Sequence, residues 1–561
     1  MDKKNRPRAN NVSLNRRLLL KGVGVMPLLP LLPACRLADR PESSEEPSLA
    51  RIGPIDRMRD NRPGPFFSGD DFSLPHQILW NKPAYLQSIG GPPKPSREVE
   101  LAIVGGGMSG LMSAYLLRDK KPLLLEQGPR FGGNAKGESW NGLDYAIGAA
   151  YMVKPEQGGP LYEILKQLNI VSDWTIQAGG HTDAVLNGMR LENFWTGAGE
   201  PEQAADYKRL YDYFMSFNRE GGNIFPEYPT NDMHLRQYIN RLDREDFRTH
   251  LEGINGSPLP LQLATLIEHY CFSSFGGSAG EISAAAGINF FAGELRDLAV
   301  FPGGNAYVAE ALLKRLYREL PAHHLLPDSL VFDVRNANGG VTISYLDANR
   351  QPQSILSEKV VMACPKFVAS KLIDDLSAAK LAAIAELEYR AYLVANLLVN
   401  RPVAEAAYDI FWLGPGRADL AHVADYAKSR GLTDIVNANF AAPHRRQAVL
   451  SFYQAFPYHG GRNELFSPDA YELMKTKISS QISREVYPFY DLHDADIADL
   501  RLSRWGHPLP LAAVGLLDRG VVDSLRAPID GRIYFVEQDN WALPAIETVA
   551  AEADYWSSLI K

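Results

Sequence analysis

Gly105, Gly107 and Gly110 stand in the order G-x-G-x-x-G directly after the apolar run 99–104. A turn of this kind can hold a phosphate-bearing ligand. The first glycine permits a tight turn, the second lets backbone approach a pyrophosphate, and the third lets the following helix lie close to the strand. Met108 and Ser109 open that helix, whose free N–H groups and partial positive charge favour an anion. Glu126 ends the next apolar run, 122–125, and Gln127 follows it. A carboxylate at this distance accepts hydrogen bonds from ribose hydroxyls. The four features together point to a dinucleotide.

A second glycine turn comes next, in Arg130-Phe131-Gly132-Gly133-Asn134-Ala135. With it, residues 98–151 resemble the monoamine oxidase family of flavin-containing amine oxidoreductases. The Gly-Gly-Asn-Ala-Lys form is similar to exported bacterial spermidine dehydrogenase-like FAD proteins. The resemblance implies FAD as cofactor, with the turn at Gly132 and Gly133 against its pyrophosphate. It implies that the stretch 144–151, with Gly148, Ala149, Ala150 and Tyr151, reaches the isoalloxazine. It places Val331 against adenine and Asp539 on the ribityl chain, with Ala545 and Ile546 at a helix start facing the flavin. Phe301-Pro302-Gly303-Gly304-Asn305-Ala306 and 360–365 extend the match. Three departures stand out. Asn134 replaces a common arginine, Gln538 replaces a glycine, and the stretch 389–396 lacks the lysine many amine oxidases use. The missing lysine favours a dehydrogenase that passes electrons to an acceptor other than oxygen.

The implied reaction is oxidation of an amine, including a polyamine, by hydride transfer to flavin N5. The cofactor performs the chemistry while the protein positions the C–H bond and favours the neutral amine. Trp505, His507 and Tyr151 are the catalytic candidates. Trp505 is a channel wall or a core ring, and His507 a proton relay or a packed histidine. Ser273 and Ser274 stand where related exported flavoproteins often carry acids, which reduces cation binding. Asp70 and Asp71 are a solvated turn or a charged channel mouth. Three rival readings remain open. A desaturase or isomerase wants an apolar tunnel. An amino-acid oxidase wants an arginine for the carboxylate, with Arg390 and Arg504 as candidates. A flavin-binding protein without turnover wants a plugged site.

Behind these residues the chain alternates in the manner of a parallel sheet. A strand at 99–104, a helix at 108–117 and a strand at 122–125 form a crossover unit. Further helices are expected at 204–217, 261–270, 308–320 and 470–486, and strands at 329–334, 341–346, 359–362, 447–456 and 533–536. The 561 residues, with 45% hydrophobic content, exceed one small core. The fold class is α/β: a Rossmann-type FAD-binding domain interleaved with an α+β substrate domain, monoamine oxidase-like. FAD-binding parts fall at 98–150, 301–370 and 505–561, and substrate parts at 151–300 and 371–504.

Residues 1–34 carry seven Lys and Arg against one acid. Ser13-Leu14-Asn15-Arg16-Arg17-Leu18-Leu19-Leu20-Lys21 resembles a twin-arginine export signal, which implies periplasmic delivery by the twin-arginine machinery. Leu32-Pro33-Ala34-Cys35 resembles a lipoprotein box, so Cys35 is either a lipid anchor or lost by cleavage nearby. Residues 35–97 form a linker and arm, whose stretch 66–72 and Trp80 should pack on the body. Net charge is −8, and the body is more acidic than that because the tail is basic. This argues against nucleic acid as a partner. Three cysteines exclude a disulfide framework, and no metal-ligand spacing occurs. The electron acceptor is not written in these residues.

Overall fold

The computed structural model describes residues 47–62, 64–414 and 417–561. The export segment 1–34 and Cys35 lie outside them.

A seven-stranded sheet organises one half of the body. Its centre is Glu98–Val104, with Leu123–Leu125 and then Leu325–Leu326 parallel on one side. Pro352–Met362 lies parallel on the other side. The free edge of Pro352–Met362 is shared. Its first part pairs antiparallel with Gly340–Leu346, which pairs in turn with Leu330–Ala337, and its last part pairs parallel with Ile533–Phe535. Leu101, Ala102, Ile103 and Val104 are all buried, as expected of a parallel strand covered on both faces. One face is covered by the helices Met108–Leu116, Asn305–Glu319 and Ile546–Ile560. Asn305–Glu319 turns Val308, Leu312, Leu313 and Leu316 inward at helical spacing. Segments far apart in sequence therefore complete a single sheet.

An eight-stranded sheet organises the other half. Its order is Met189–Leu191, Ala184–Leu186, Asp409–Gly414, Asp434–Asn437, Ala448–Phe456, Tyr389–Val399, Ile497–Pro510 and Ser68–Gly69. The helix Leu261–Phe275 packs on it, and around that helix lie Ala204–Ser216, Phe247–Asn255 and Ala284–Glu294. The arm is thus an integral edge: Ser68 and Gly69 pair with Ser503 and Arg504. Phe67 meets Tyr471 edge-on at 5.1 Å, and Phe72 meets Phe466 at 4.8 Å. Trp80 departs from the expectation that it packs on the body. It is 49% exposed, because its helix-end position puts it beside His76 and the Lys371 ammonium at the surface.

Among the described residues no helix is long and apolar enough to cross a membrane.

Candidate active site

The two sheets meet around one cavity of ≈ 580 Å³. One end is made of backbone. Gly107 caps the helix Met108–Leu116 and forms a bridge with Gly132. A Cβ on Gly133, whose φ is +57°, would lie 2.8 Å from the Gly107 Cα, and one on Gly110 would lie 1.8 Å from the Gly105 carbonyl oxygen. No residue with a side chain fits either place, so the two turns touch through bare backbone. Gly107, Met108, Ser109, Gly133, Asn134 and Ala135 line the cavity. Opposite them the helix Ile546–Ile560 begins, with Ala545 and Ile546 on the wall. Neither helix start has a side-chain cap, which leaves orphan N–H groups for an anionic ligand at both, apart from that of Glu547, which its own carboxylate accepts. That is the environment a flavin dinucleotide requires of its pyrophosphate and ring.

Asp539 also lines this end. Its carboxylate accepts from the Lys366 backbone N–H at 2.9 Å and from the Tyr389 hydroxyl. Asn134 and Gln538, the two departures from the family pattern, both donate to the Pro508 carbonyl, at 3.2 and 2.7 Å. They fasten the second glycine turn and the Asp539 segment to one point.

Gly148, Ala149, Ala150 and Tyr151 form the middle of the wall. Their backbone is held from behind. Trp505 Nε1 donates to the Ile147 carbonyl at 2.7 Å, Tyr453 to Gly148 at 2.9 Å and Tyr408 to Ala150 at 3.0 Å. Asn305 donates to the Tyr151 carbonyl at 2.9 Å.

The far end is made of side chains. In an antiparallel ladder, directly opposed residues share a face. Asp434 opposes Tyr453, Tyr453 opposes Val394, and Tyr392 opposes Trp505, and this face looks into the cavity. The helices add Ser273, Ser274 and Glu294. Tyr151 donates to Glu294 at 2.7 Å, and Asp434 accepts from Ser273 at 3.0 Å and Thr433 at 2.7 Å. Seven carboxylates line the cavity against two cations. Those two, Lys154 and Arg296, are engaged with Asp297 and Glu156. Glu294, Asp434 and Glu547 have no ion-pair partner among the described residues. Burial pushes each of their carboxyls up to about 7, since an uncompensated charge in this environment is costly. Tyr151, Tyr392 and Tyr453 are raised well above the usual phenol value, chiefly by burial and then by these acids, and remain protonated donors.

Several sequence-derived candidates lie elsewhere. Glu126 is off the cavity wall, accepting from Gly106 and Gly128 at 2.8 and 2.9 Å. Gln127 is exposed, Val331 is buried in its sheet, and Arg130 is bound to Asp56 and the carbonyls of Ala50 and Gly53 in the arm. Gly105 and Gly132 shape the turns from behind. His507 is a packed histidine rather than a relay. The ladder opposes Tyr392 to Trp505 but Arg390 to Leu509, so the strand bulges and His507 turns away, against Phe367 at 4.2 Å. Burial, with Arg462 and His76 nearby, lowers its pKa to about 3. Asp70 is not at the mouth: it is half-buried, off the cavity wall, and accepts from the Gly506 N–H at 2.6 Å. Arg390 is paired with Glu281 and Glu388. Arg504 is enclosed by Phe67, Phe72 and Phe466. Neither arginine is on the cavity wall.

Glu294, Asp434, Glu547, Tyr392 and Tyr453 escaped the sequence reading. The available signal was an acid inside a short apolar run, as in Thr433-Asp434-Ile435-Val436 and Tyr408-Asp409-Ile410-Phe411.

Comparisons with known proteins agree with this architecture. Residues 103–168 match the NAD(P)-binding Rossmann-like domain family. Oxidoreductase PigB from Serratia sp. (strain ATCC 39006) is 22% identical over 512 residues, covering 80% of this chain and 73% of its own. Wild-type putrescine oxidase bound to putrescine superposes with a TM-score of 0.59 at 16% identity, over 82% of this chain and 99% of that one. Cyclohexylamine oxidase from Brevibacterium oxydans IH-35A does so at 0.57 and 16%, over 82% and 98%. The chain carries a Rossmann-like dinucleotide-binding domain within the mixed α/β fold of the monoamine oxidase-like flavoproteins.

Proposed function

We propose that this protein is an FAD-dependent oxidoreductase that oxidises an amine. One observation carries the reading: the cavity that begins at two glycine turns and two uncapped helix starts ends on the buried Asp434 and the half-buried Glu294, neither of which has an ion-pair partner among the described residues. The first end suits the phosphates and ring of FAD. The second end suits an ammonium, because a buried carboxylate without a partner is stabilised by a cation brought by the ligand. The bound flavin supplies the electron sink for the C–H bond next to nitrogen.

The chain's own residues do the rest. Trp505, Tyr392 and Tyr453 wall the space and attract an ammonium through their ring faces, an effect worth about 0.5–2 kcal/mol. Ser273 tethers Asp434, so the cation-binding group expected on the helix is supplied by the facing sheet. Glu294 and Asp434 lie on different elements, which favours a polyamine over a monoamine. The acid lining disfavours substrates bearing a carboxylate, and the engaged Arg390 and Arg504 leave an amino acid without its anchor. The absence of lysine from 389–396 favours an electron acceptor other than oxygen. The segment 13–21 supports export of the folded, flavin-loaded protein to the periplasm, with Cys35 as a lipid anchor.

The test is anaerobic mixing of the purified flavoprotein with a panel of spermidine, putrescine, butylamine and neutral alcohols while flavin absorbance is followed. Amines should bleach the flavin and alcohols should not. A yellow protein that no amine bleaches refutes the reading.

A further inference from the structure

Resting on that reading, we propose that Asp434, paired with Asp409, takes the proton from the incoming ammonium and so delivers the neutral amine to the flavin. Amines enter at neutral pH as ammonium ions, whereas oxidation needs the nitrogen lone pair. Some group must therefore accept a proton inside the cavity, and the lysine-free wall at 389–396 offers none.

The sheet places two acids where this can happen. Asp409 opposes Val436, and Phe411 opposes Asp434. Opposed residues share a face, as do residues two apart on one strand, so Asp409 and Asp434 lie on the same face of adjacent strands. Both are at least nine-tenths buried, and only Asp434 reaches the cavity wall. Their surroundings differ. Asp434 receives hydroxyl donors on both oxygens, from Thr433 and Ser273, which stabilises its anion. Asp409 has one oxygen with no hydrogen-bond partner, which leaves it the better place for a shared proton.

The groups facing the pair are acids and phenols. Asp183 and Glu294 act on Asp409, and Tyr392, Tyr408, Tyr453, Tyr151 and Tyr270 feel one or both. Asp183 is itself paired with Arg190 and faces His181; no cation is paired with Asp409 or Asp434 among the described residues. Burial and repulsion from Asp434 hold Asp409 well above the usual carboxylate range, and Asp434 is pushed up to about 7, so above that pH the pair carries one proton and one negative charge. The step is then an acid–base exchange. An N–H bond of the ammonium breaks, an O–H bond forms on Asp434, the lone pair stays on nitrogen, and no electrons are transferred. The pair and the amine both become neutral.

The test uses the holoprotein with its flavin reduced by dithionite, so that an amine binds without turnover. Infrared difference spectra are recorded on adding butylamine or tetramethylammonium, and flavin absorbance reports binding. The proposal expects, over the contributions of the other raised acids Glu294 and Glu547, a carboxylic-acid carbonyl band at rest that appears in the native-minus-Asp409→Asn difference. That band should grow with butylamine, not with tetramethylammonium, and the growth should vanish in Asp434→Asn. A native-minus-Asp409→Asn difference without that band, or growth that survives in Asp434→Asn, overturns it. Butylamine that binds without changing the band overturns the proton transfer and leaves the amine reading standing. Butylamine that does not bind ends both.

A kinetic readout applies as well. In Asp434→Asn, flavin reduction by butylamine should rise about tenfold per pH unit toward the amine pKa, since only free amine reacts. The native rate should be flatter. If Asp434→Asn does not fold, Ser273→Ala removes one donor to Asp434 and should move the acidic limb of the native profile to higher pH. An unmoved limb overturns the assignment.

Discussion

The two ends of the cavity are built from different materials. The glycine-turn end is backbone: Gly107 against Gly133, two uncapped helix starts and Asp539. The acid end is side chains from four strands and two helices, drawn from between Ser273 and Trp505. Backbone cradles depend on glycines at fixed local spacing, so a short stretch of sequence specifies them. A side-chain wall depends on which strands become neighbours, and that is decided only by folding. The first end is therefore the part that a shared fold can fix, while the second is the part free to vary.

That contrast can be broken at either end. The largest effect is expected from Gly133→Val. A Cβ there meets the Gly107 Cα at 2.8 Å with φ at +57°, and overpacking plus backbone strain should cost about 2–5 kcal/mol of flavin affinity. The flavin-to-protein absorbance ratio after purification measures this. Asp434→Asn should leave that ratio unchanged. If both variants lose flavin equally, the two ends are not separable.

A smaller effect belongs to Glu547→Gln. Burial raises the Glu547 pKa to about 7. An acid raised on folding stabilises fully below its unfolded value, near ~4.3. The stabilisation is lost as pH rises through about 7, because the unfolded chain gives up the proton first. Glutamine does not titrate. The denaturation free energy of the variant relative to the native protein should therefore increase by about 1–3 kcal/mol between pH 5 and pH 8. A difference that stays constant with pH refutes the burial of this acid at the helix start.

The smallest effect concerns the joint between the two ends. Asn134→Ala and Gln538→Ala should each cost about 0.5–1.5 kcal/mol in denaturant unfolding. Because both side chains donate to the Pro508 carbonyl, their costs should not add in a double-mutant cycle. Additive costs would show that the shared acceptor is incidental.

The same contrast explains what was legible in the sequence. The strand at 98–104, the helix after it and the turn at Gly132 were readable, because each follows from local spacing and periodicity. Tyr151 and Trp505 were found through resemblance, and both line the cavity. Of the two readings of His507 the packed one fits, because the bulge between Trp505 and Leu509 breaks the alternation that would have kept it inward. Glu294 was missed because it belongs to no local pattern, and Asp434, an acid inside a short apolar run, because that run does not say what it faces: their relation arises from a sheet face meeting a helix. Asp70 was misread for the same reason, since its partner Gly506 is a neighbour only once Ser68–Gly69 joins the sheet.

That short edge pairing gives the arm an influence out of proportion to its size. The residues next to it fix the bulge through the Asp70–Gly506 bond, and the bulge bears Pro508, where Asn134 and Gln538 anchor. A chain begun at Phe72 would keep every cavity-lining residue yet lose the tie that sets their spacing. Expression designs that trim toward the first glycine motif should accordingly retain the segment from Phe67 onward.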